Sequence, residues 1–245
     1  RLPLKIYLGS YDRPAYAFGI YAAAFQAKAL DIPRISVIEF GVASGGGLVA
    51  MESLSRKIGA YLGVGMDVHG FDMGTGLPKP TDYRDLPYTF REGDYAMDEQ
   101  RLRSRLESAE LWLGPVRETA QRFRESSPAP IGFVSFDLDL YSSTVDAFQV
   151  FEMGHDGRLP RVMCYFDDVL WPDEAFYSEA TGELLAIDEF NRDHPGLRIS
   201  QLRSLAYTKP GHAQWLGQIY VMHDFQHPGY CHDLFTERLR QMRPV

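Results

Sequence analysis

Four aspartates stand in two short clusters, each directly after an apolar run: Asp137 and Asp139 follow 131–136 (IGFVSF), and Asp167-Asp168 follow 161–166 (RVMCYF). Neighbouring parallel strands lie about 4.8 Å apart, so two such runs side by side would bring these acids to one sheet edge. Converging carboxylates repel one another, and a divalent cation relieves that repulsion. Hard oxygen donors suit Mg²⁺ best. A bound ion of this kind lowers the pKa of a substrate hydroxyl and aligns it for attack. Asp137, Asp139, Asp167 and Asp168 are therefore candidate metal ligands, with Asp137 and Asp139 the candidate catalytic pair. The competing reading is structural: an aspartate before Ser142-Ser143-Thr144 is also placed to cap the next helix, and Asp168 could do the same.

A second pattern is Glu39-Phe40-Gly41-Val42-Ala43-Ser44-Gly45-Gly46-Gly47, between a run that reads as a strand (36–40) and one with helical periodicity (48–58). Glycines at such a junction allow close backbone approach, and the helix start offers unpaired N–H groups. The spacing is neither the G-x-G-x-x-G dinucleotide fingerprint nor a Walker A loop. An acid two residues before the first glycine suits a cationic ligand group, such as the ammonium or sulfonium of S-adenosylmethionine (SAM). Asp72 closes the next strand-like run (68–71), where nucleoside-binding α/β folds place a ribose acceptor. Asp67, read as preceding that strand, ranks second. The remaining chemistry-bearing residues are aromatic or histidine: Tyr83, Tyr88, Tyr95, Trp171, Tyr177, His212, Trp215, His223, His227, Tyr230 and His232. Some could line an apolar acceptor pocket. The His223-to-His227 segment matches no zinc spacing, and Cys164, inside an apolar run, reads as core.

The elements that must position these groups alternate. Helix-like segments at 15–30, 48–58, 98–108, 116–125, 143–153 and 183–193 are interleaved with strand-like runs at 36–40, 68–71, 110–113, 131–136 and 161–166, followed by 197–202 and 215–223. This order predicts a parallel sheet covered on both faces. The connection between the last two runs is too short for a crossover helix, so they are expected to pair antiparallel. Residues 72–98 form a long loop rich in Pro, Gly, Asp and Tyr, the kind that usually carries function.

Composition bounds the rest. The chain has 245 residues, 45% of them hydrophobic and 24% charged, as in a globular domain. Lys+Arg number 25 against 33 Asp+Glu, a formal charge of −8, which disfavours a nucleic-acid partner. No apolar stretch approaches the roughly 20 residues of a membrane span. Two cysteines fit a reducing cytoplasm. One domain over 1–245 is expected, with a helical N-terminal extension (1–34) and a catalytic core (35–245). Self-association into a homo-oligomer is compatible with all of this.

Taken in order, VIEFGVASGGG, VHGFDMGTGLP, VSFDLDLYSSTVDAF and CYFDDV resemble the macrocin and mycinamicin O-methyltransferases (TylF type), class I SAM- and Mg²⁺-dependent enzymes acting on natural-product sugars. The resemblance spans about 36–169. It implies a Rossmann-like α/β sandwich with a seven-stranded, mostly parallel sheet ending in an antiparallel hairpin. It implies that Glu39, Gly41, Ser44 and Gly45 hold the methionine part of SAM, that Asp72 holds the ribose, and that Asp137 also borders the cofactor. Asp137, Asp139, Asp167 and Asp168 would hold Mg²⁺. The sequence departs from the family in Met73-Gly74-Thr75-Gly76 after Asp72, in Leu138 where Gly is common, and in an extra Gly154-His155-Asp156-Gly157. The expected activity is methyl transfer from SAM to a hydroxyl of a small-molecule acceptor. The rivals are a metal-independent N- or O-methyltransferase and a non-catalytic SAM- or nucleoside-binding protein.

Overall fold

Strand β1 (Arg34–Phe40, RISVIEF) is buried at every residue after the first, as a central strand covered on both faces must be. It lies at the centre of a computed structural model that describes residues 2–170, 176–208 and 213–234. Ahead of it come α1 (Leu2–Tyr7) and α2 (Pro14–Ala29). After it follow α3 (Gly46–Leu62), β2 (Gly65–Asp72), α4 (Glu99–Arg103), β3 (Glu110–Leu113), α5 (Val116–Glu125), β4 (Ile131–Phe136), α6 (Tyr141–Ala147), β5 (Arg158–Phe166), α7 (Gly182–Asp193), β6 (Leu197–Gln201), α8 (Leu205–Thr208) and β7 (Ile219–Asp224). The seven strands form one sheet in the order β3-β2-β1-β4-β5-β7-β6. β1 to β5 pair in parallel, and β7 inserts antiparallel between β5 and β6. The expected architecture, terminal antiparallel pairing included, is the one observed.

Strand order reverses direction between β1 and β4, which opens a crevice beyond their carboxyl ends. An aromatic row fixes the register of that edge. Phe71 pairs with Trp112, Phe40 with Phe71 and with Phe136, and Phe136 with Phe166. Successive rings along the row stand 4.6 to 5.8 Å apart, the spacing at which aromatic pairs add to simple area burial. One residue beyond four of these rings stand Gly41, Asp72, Asp137 and Asp167. The row therefore sets four site positions on one line.

Helix α2 opens with Pro14, where a missing N–H costs nothing. Its small residues let it lie close on the sheet: a Cβ on Gly19 would stand 2.3 Å from the Phe133 ring. Tyr16, Ala17, Ile20, Ala23, Ala24 and Ala27 join one core with α3 and the sheet. The other face is covered by α5, α6 and α7, around Phe123, Phe148, Phe151 and Phe190.

Several elements run longer than expected, α3, β2 and β5 among them, and three other boundaries differ for a local reason. The helix expected over 98–108 is only α4, because the Glu52 carboxylate takes the N–H groups of Glu107, Ser108 and Ala109 that a continuing helix would need. The helix expected over 143–153 starts at Tyr141 and tightens into a 3₁₀ turn at Phe148–Glu152. The last strand starts at Ile219 because Gln214–Gly217 form a 3₁₀ turn, with Trp215 packed against Phe18. Asp67 lies inside β2, not before it, and pairs with Arg34 at 2.5 Å. Among the described residues, no helix is long and apolar enough to cross a membrane.

Candidate active site

A cavity of about 560 Å³ lies at the β1/β4 crevice. Glu39, Gly41, Ser44, Asp72, Asp137, Asp139, Asp167 and Asp168 all line it. Gly45 does not. Its φ is +79°, it caps α3, and a Cβ there would strike Leu102 at 2.1 Å. Its glycine serves packing of the turn, whereas Gly46, beside it, faces the cavity. Gly41 is also a packing glycine: its φ is +83°, and an added Cβ would lie 1.6 Å from the Asp137 carbonyl oxygen.

Glu39 is 2% exposed. Its Oε1 accepts from the Tyr16 hydroxyl at 2.6 Å, and Tyr16 in turn accepts from Ser135 Oγ at 2.9 Å. Oε2 is buried with no hydrogen-bond partner among the described residues. Burial pushes the Glu39 carboxyl up to about 8, against the opposing pull of Tyr16 and Arg13. A ligand ammonium beside it favours the ionised form and draws its proton off. Binding of S-adenosylhomocysteine (SAH) at pH 7 should therefore release protons, and affinity should rise between about pH 5 and 8. The sign follows from the raised carboxyl being mostly protonated below 8. Calorimetry in buffers of different ionisation enthalpy measures this; binding without proton release at pH 7 would contradict it.

Asp72 is tied to the turn after β1. Its Oδ2 accepts from Val42 and Ala43 N–H at 2.9 and 2.8 Å, and its Oδ1 from Gly74 N–H at 2.6 Å. These bonds hold Ala43 at φ +45°. Each carboxylate oxygen can accept more than one bond, so Asp72 shapes the turn and still presents acceptor capacity to the cavity.

The cap on α6 comes from a residue that the sequence did not flag. Asp85, fully buried, accepts from Ser142 N–H and Oγ at 2.8 and 3.0 Å, and from Thr81 N–H and Oγ1, both at 2.7 Å. It caps α6 from the long loop and pins that loop over the site. The N-cap position, Leu140, offers no side-chain bond. Asp137 and Asp139 are thus left to the cavity. Asp85→Ala strands several buried donors, at about 1–3 kcal/mol. It should lower the denaturation midpoint and make 72–98 more susceptible to limited proteolysis; unchanged values for both would refute the pinning role.

The aspartates repel one another as expected. Asp137 is pushed well above the ordinary carboxylate range by burial, then by Asp167, Asp168, Glu39 and Asp139. Asp139 is pushed up to about 8 by burial, then by Asp168 and Asp167. Asp139 holds φ +60°, and its N–H donates to Asp168 Oδ2 at 2.9 Å. Asp167 accepts from the Tyr165 hydroxyl. Behind them, fully buried Glu183 accepts from Asp168 N–H at 3.1 Å. The donor set suits a hard divalent cation: several carboxylates facing one cavity, raised by mutual repulsion. Yet among the described residues no group of three His, Cys, Asp or Glu is arranged to hold a metal ion.

Of the aromatic and histidine set, Tyr95 lines the cavity. Tyr177 packs with Leu86, Phe90 and Leu140 under the loop. Tyr83 and Tyr88 are exposed, and Trp215 packs against Phe18. His223 contacts Tyr230, and His227 stacks edge-on to His155, away from the cavity lining. Trp171 and His212 lie outside the described residues. Sequence reasoning missed Arg13, Lys79 and Asp94, which also line the cavity; nothing in their local sequence marks them.

No protein-family model matches the chain, and no curated protein matches it. Solved structures do. A structure described as CalS11, calicheamicin methyltransferase, superposes with a TM-score of 0.59 at 20% identity, covering 92% of this chain and 83% of that one. This chain has the Rossmann-like methyltransferase fold. An apo structure of CalS11, described as a TDP-rhamnose 3′-O-methyltransferase, matches at TM-score 0.48 and 19% identity over 92% of this chain and 84% of that one. A Bacillus cereus O-methyltransferase in complex with SAH matches at 0.42 and 12% identity, over 84% of this chain and 87% of that one.

Proposed function

We propose that the chain transfers a methyl group from SAM to a hydroxyl of a small, hydroxyl-rich acceptor, a natural-product sugar or similar compound. The observation that carries this reading is one cavity, on a methyltransferase fold, that joins three features. Glu39 places an unpartnered buried oxygen beside the start of α3, Asp72 stands one strand away, and a bank of aspartates ends β4 and β5. The fold neighbour CalS11, described as a calicheamicin methyltransferase, supports the acceptor class.

The sulfonium is an activated leaving group, so alignment and proton removal are what the protein supplies. An acceptor oxygen attacks the methyl carbon as the carbon–sulfur bond breaks. Sulfur keeps the electron pair, and SAH results. The hydroxyl proton passes to a carboxylate of Asp137 or Asp139. Asp137, Asp139, Asp167 and Asp168 are the residues that would hold Mg²⁺, which when bound supplies a positive charge that acidifies the hydroxyl. Metal-independent transfer is a second reading, favoured by the lack of a preassembled cation cage among the described residues. Two free cysteines, Cys164 buried and Cys231 exposed, support a cytoplasmic setting.

Incubation with methyl-labelled SAM and a panel of nucleotide sugars and glycosides tests this. The expected products are SAH and a singly O-methylated acceptor. Activity should be lost in EDTA, restored by Mg²⁺ and restored less well by Ca²⁺. Full turnover in EDTA would replace the first reading with the metal-independent one. SAH binding without transfer to any hydroxyl would make this a binding protein.

A further inference from the structure

Arg13, immediately before α2, sends its guanidinium into the cavity. It is half-buried and has no hydrogen bond or ion pair with another described residue. It lies over the Tyr16 ring, 5.6 Å from the centroid, and feels the carboxyl groups of Glu39 and Asp137 only at longer range. A guanidinium at a cavity wall with no carboxylate within salt-bridge distance keeps its donors for an anionic group of a ligand.

The start of α3 lies beside it. This 17-residue helix has no side-chain cap and no acid in its first turn, so its leading amides await an acceptor. A Cβ on Gly46 would stand 3.9 Å from Arg13 Nη2, while one on Gly47 would stand 1.8 Å from Glu39 Oε1. Over two successive residues the helix start therefore passes a guanidinium and then a carboxyl group. That carboxyl group is 2% exposed, with Oε2 unpartnered. A ligand with only an ammonium would answer Glu39 and leave Arg13 and the amides unpaired. A ligand with only a carboxylate would do the reverse. An α-amino acid carries both charges on one carbon and answers both.

Resting on the cofactor reading above, we propose that Arg13, with the amides opening α3, binds the ligand's α-carboxylate, and that Arg13 and Glu39 together select nucleosides bearing an intact amino acid. Arg13 is then a specificity residue supplied by the N-terminal segment, outside the glycine-rich turn. Tyr16 fixes the arrangement by holding Glu39 Oε1, which leaves Oε2 for the ammonium.

The test is calorimetric titration of wild type, Arg13→Met and Arg13→Lys with three probes: SAH, its decarboxylated analogue, and 5′-methylthioadenosine, which lacks the amino acid altogether. Wild type should prefer SAH to the decarboxylated analogue. Arg13→Met should weaken SAH on the order of 10- to 100-fold, lose that preference, and bind 5′-methylthioadenosine as wild type does. That last result also shows that the variant is folded. Arg13→Lys should recover part of the loss. Equal weakening of SAH and 5′-methylthioadenosine in Arg13→Met, or no weakening of SAH, would overturn the proposal while leaving the cofactor reading standing. If wild type binds neither nucleoside, the cofactor reading falls and this proposal with it.

Discussion

Gly41→Ala is expected to cost about 2–5 kcal/mol, enough to collapse the site and to threaten the fold. Two effects combine. The residue sits at φ +83°, where an L side chain costs roughly 1–2 kcal/mol. Its Cβ would also stand 1.6 Å from the Asp137 carbonyl oxygen, which is backbone and cannot rotate away. Relief requires β1 and β4 to part at their carboxyl ends, at a typical repacking cost of about 1–3 kcal/mol. Asp137 N–H bonds to Phe40 O at 3.0 Å, so the same displacement moves a site carboxylate. A denaturant titration should show a lower midpoint, and SAH binding should fail even where the protein remains folded. Gly74→Ala is the control: it too has a positive φ, +82°, but nothing lies within 4 Å of an added Cβ, so it should cost only the backbone component. Comparable losses in the two variants would show that the contact with Asp137 is not what requires glycine.

Asp168→Asn should reduce turnover by on the order of 10²- to 10⁴-fold, the range for loss of a positioned acid–base or charge-stabilising group. Asparagine keeps the shape and an oxygen able to accept Asp139 N–H, the 2.9 Å bond that orients Asp139. It removes the charge. SAH affinity should change little, because the cofactor end of the cavity is built from Glu39, Asp72 and the α3 start. Asp137→Asn should give the same loss of turnover. Steady-state kinetics beside SAH calorimetry separates the two effects. Retained turnover in Asp168→Asn would remove the aspartate bank from catalysis, and lost SAH affinity would mean that it serves the cofactor instead.

Much of this was legible because short motifs repeat one local design. Phe40-Gly41, Phe71-Asp72, Phe136-Asp137 and Phe166-Asp167 each put a buried ring at the end of a strand and a site residue directly after that ring. A parallel sheet aligns the rings, and the site residues follow. The parallel sheet and its terminal antiparallel pairing were legible from alternation and connection length. The misreadings arose where a distant side chain takes over a local backbone role. Glu52 captures amides that sequence periodicity assigned to a helix at 98–108, and Asp85 caps α6 from 57 residues away. Neither partnership leaves a local pattern. Gly45 looked like a ligand-facing glycine because its neighbours are, yet Leu102 fills the space where its side chain would be. Arg13 was invisible for another reason: an arginine before an apolar helix looks like an ordinary surface residue until α2 is laid across the sheet.

A crystal structure with SAH bound in the presence of Mg²⁺ tests the site most directly. The SAH amino acid should lie between Arg13 and Glu39 at the start of α3, its ribose at Asp72, and its sulfur directed toward Asp137 and Asp139. SAH seated elsewhere, or in this cavity with its amino acid away from Glu39, would contradict that placement.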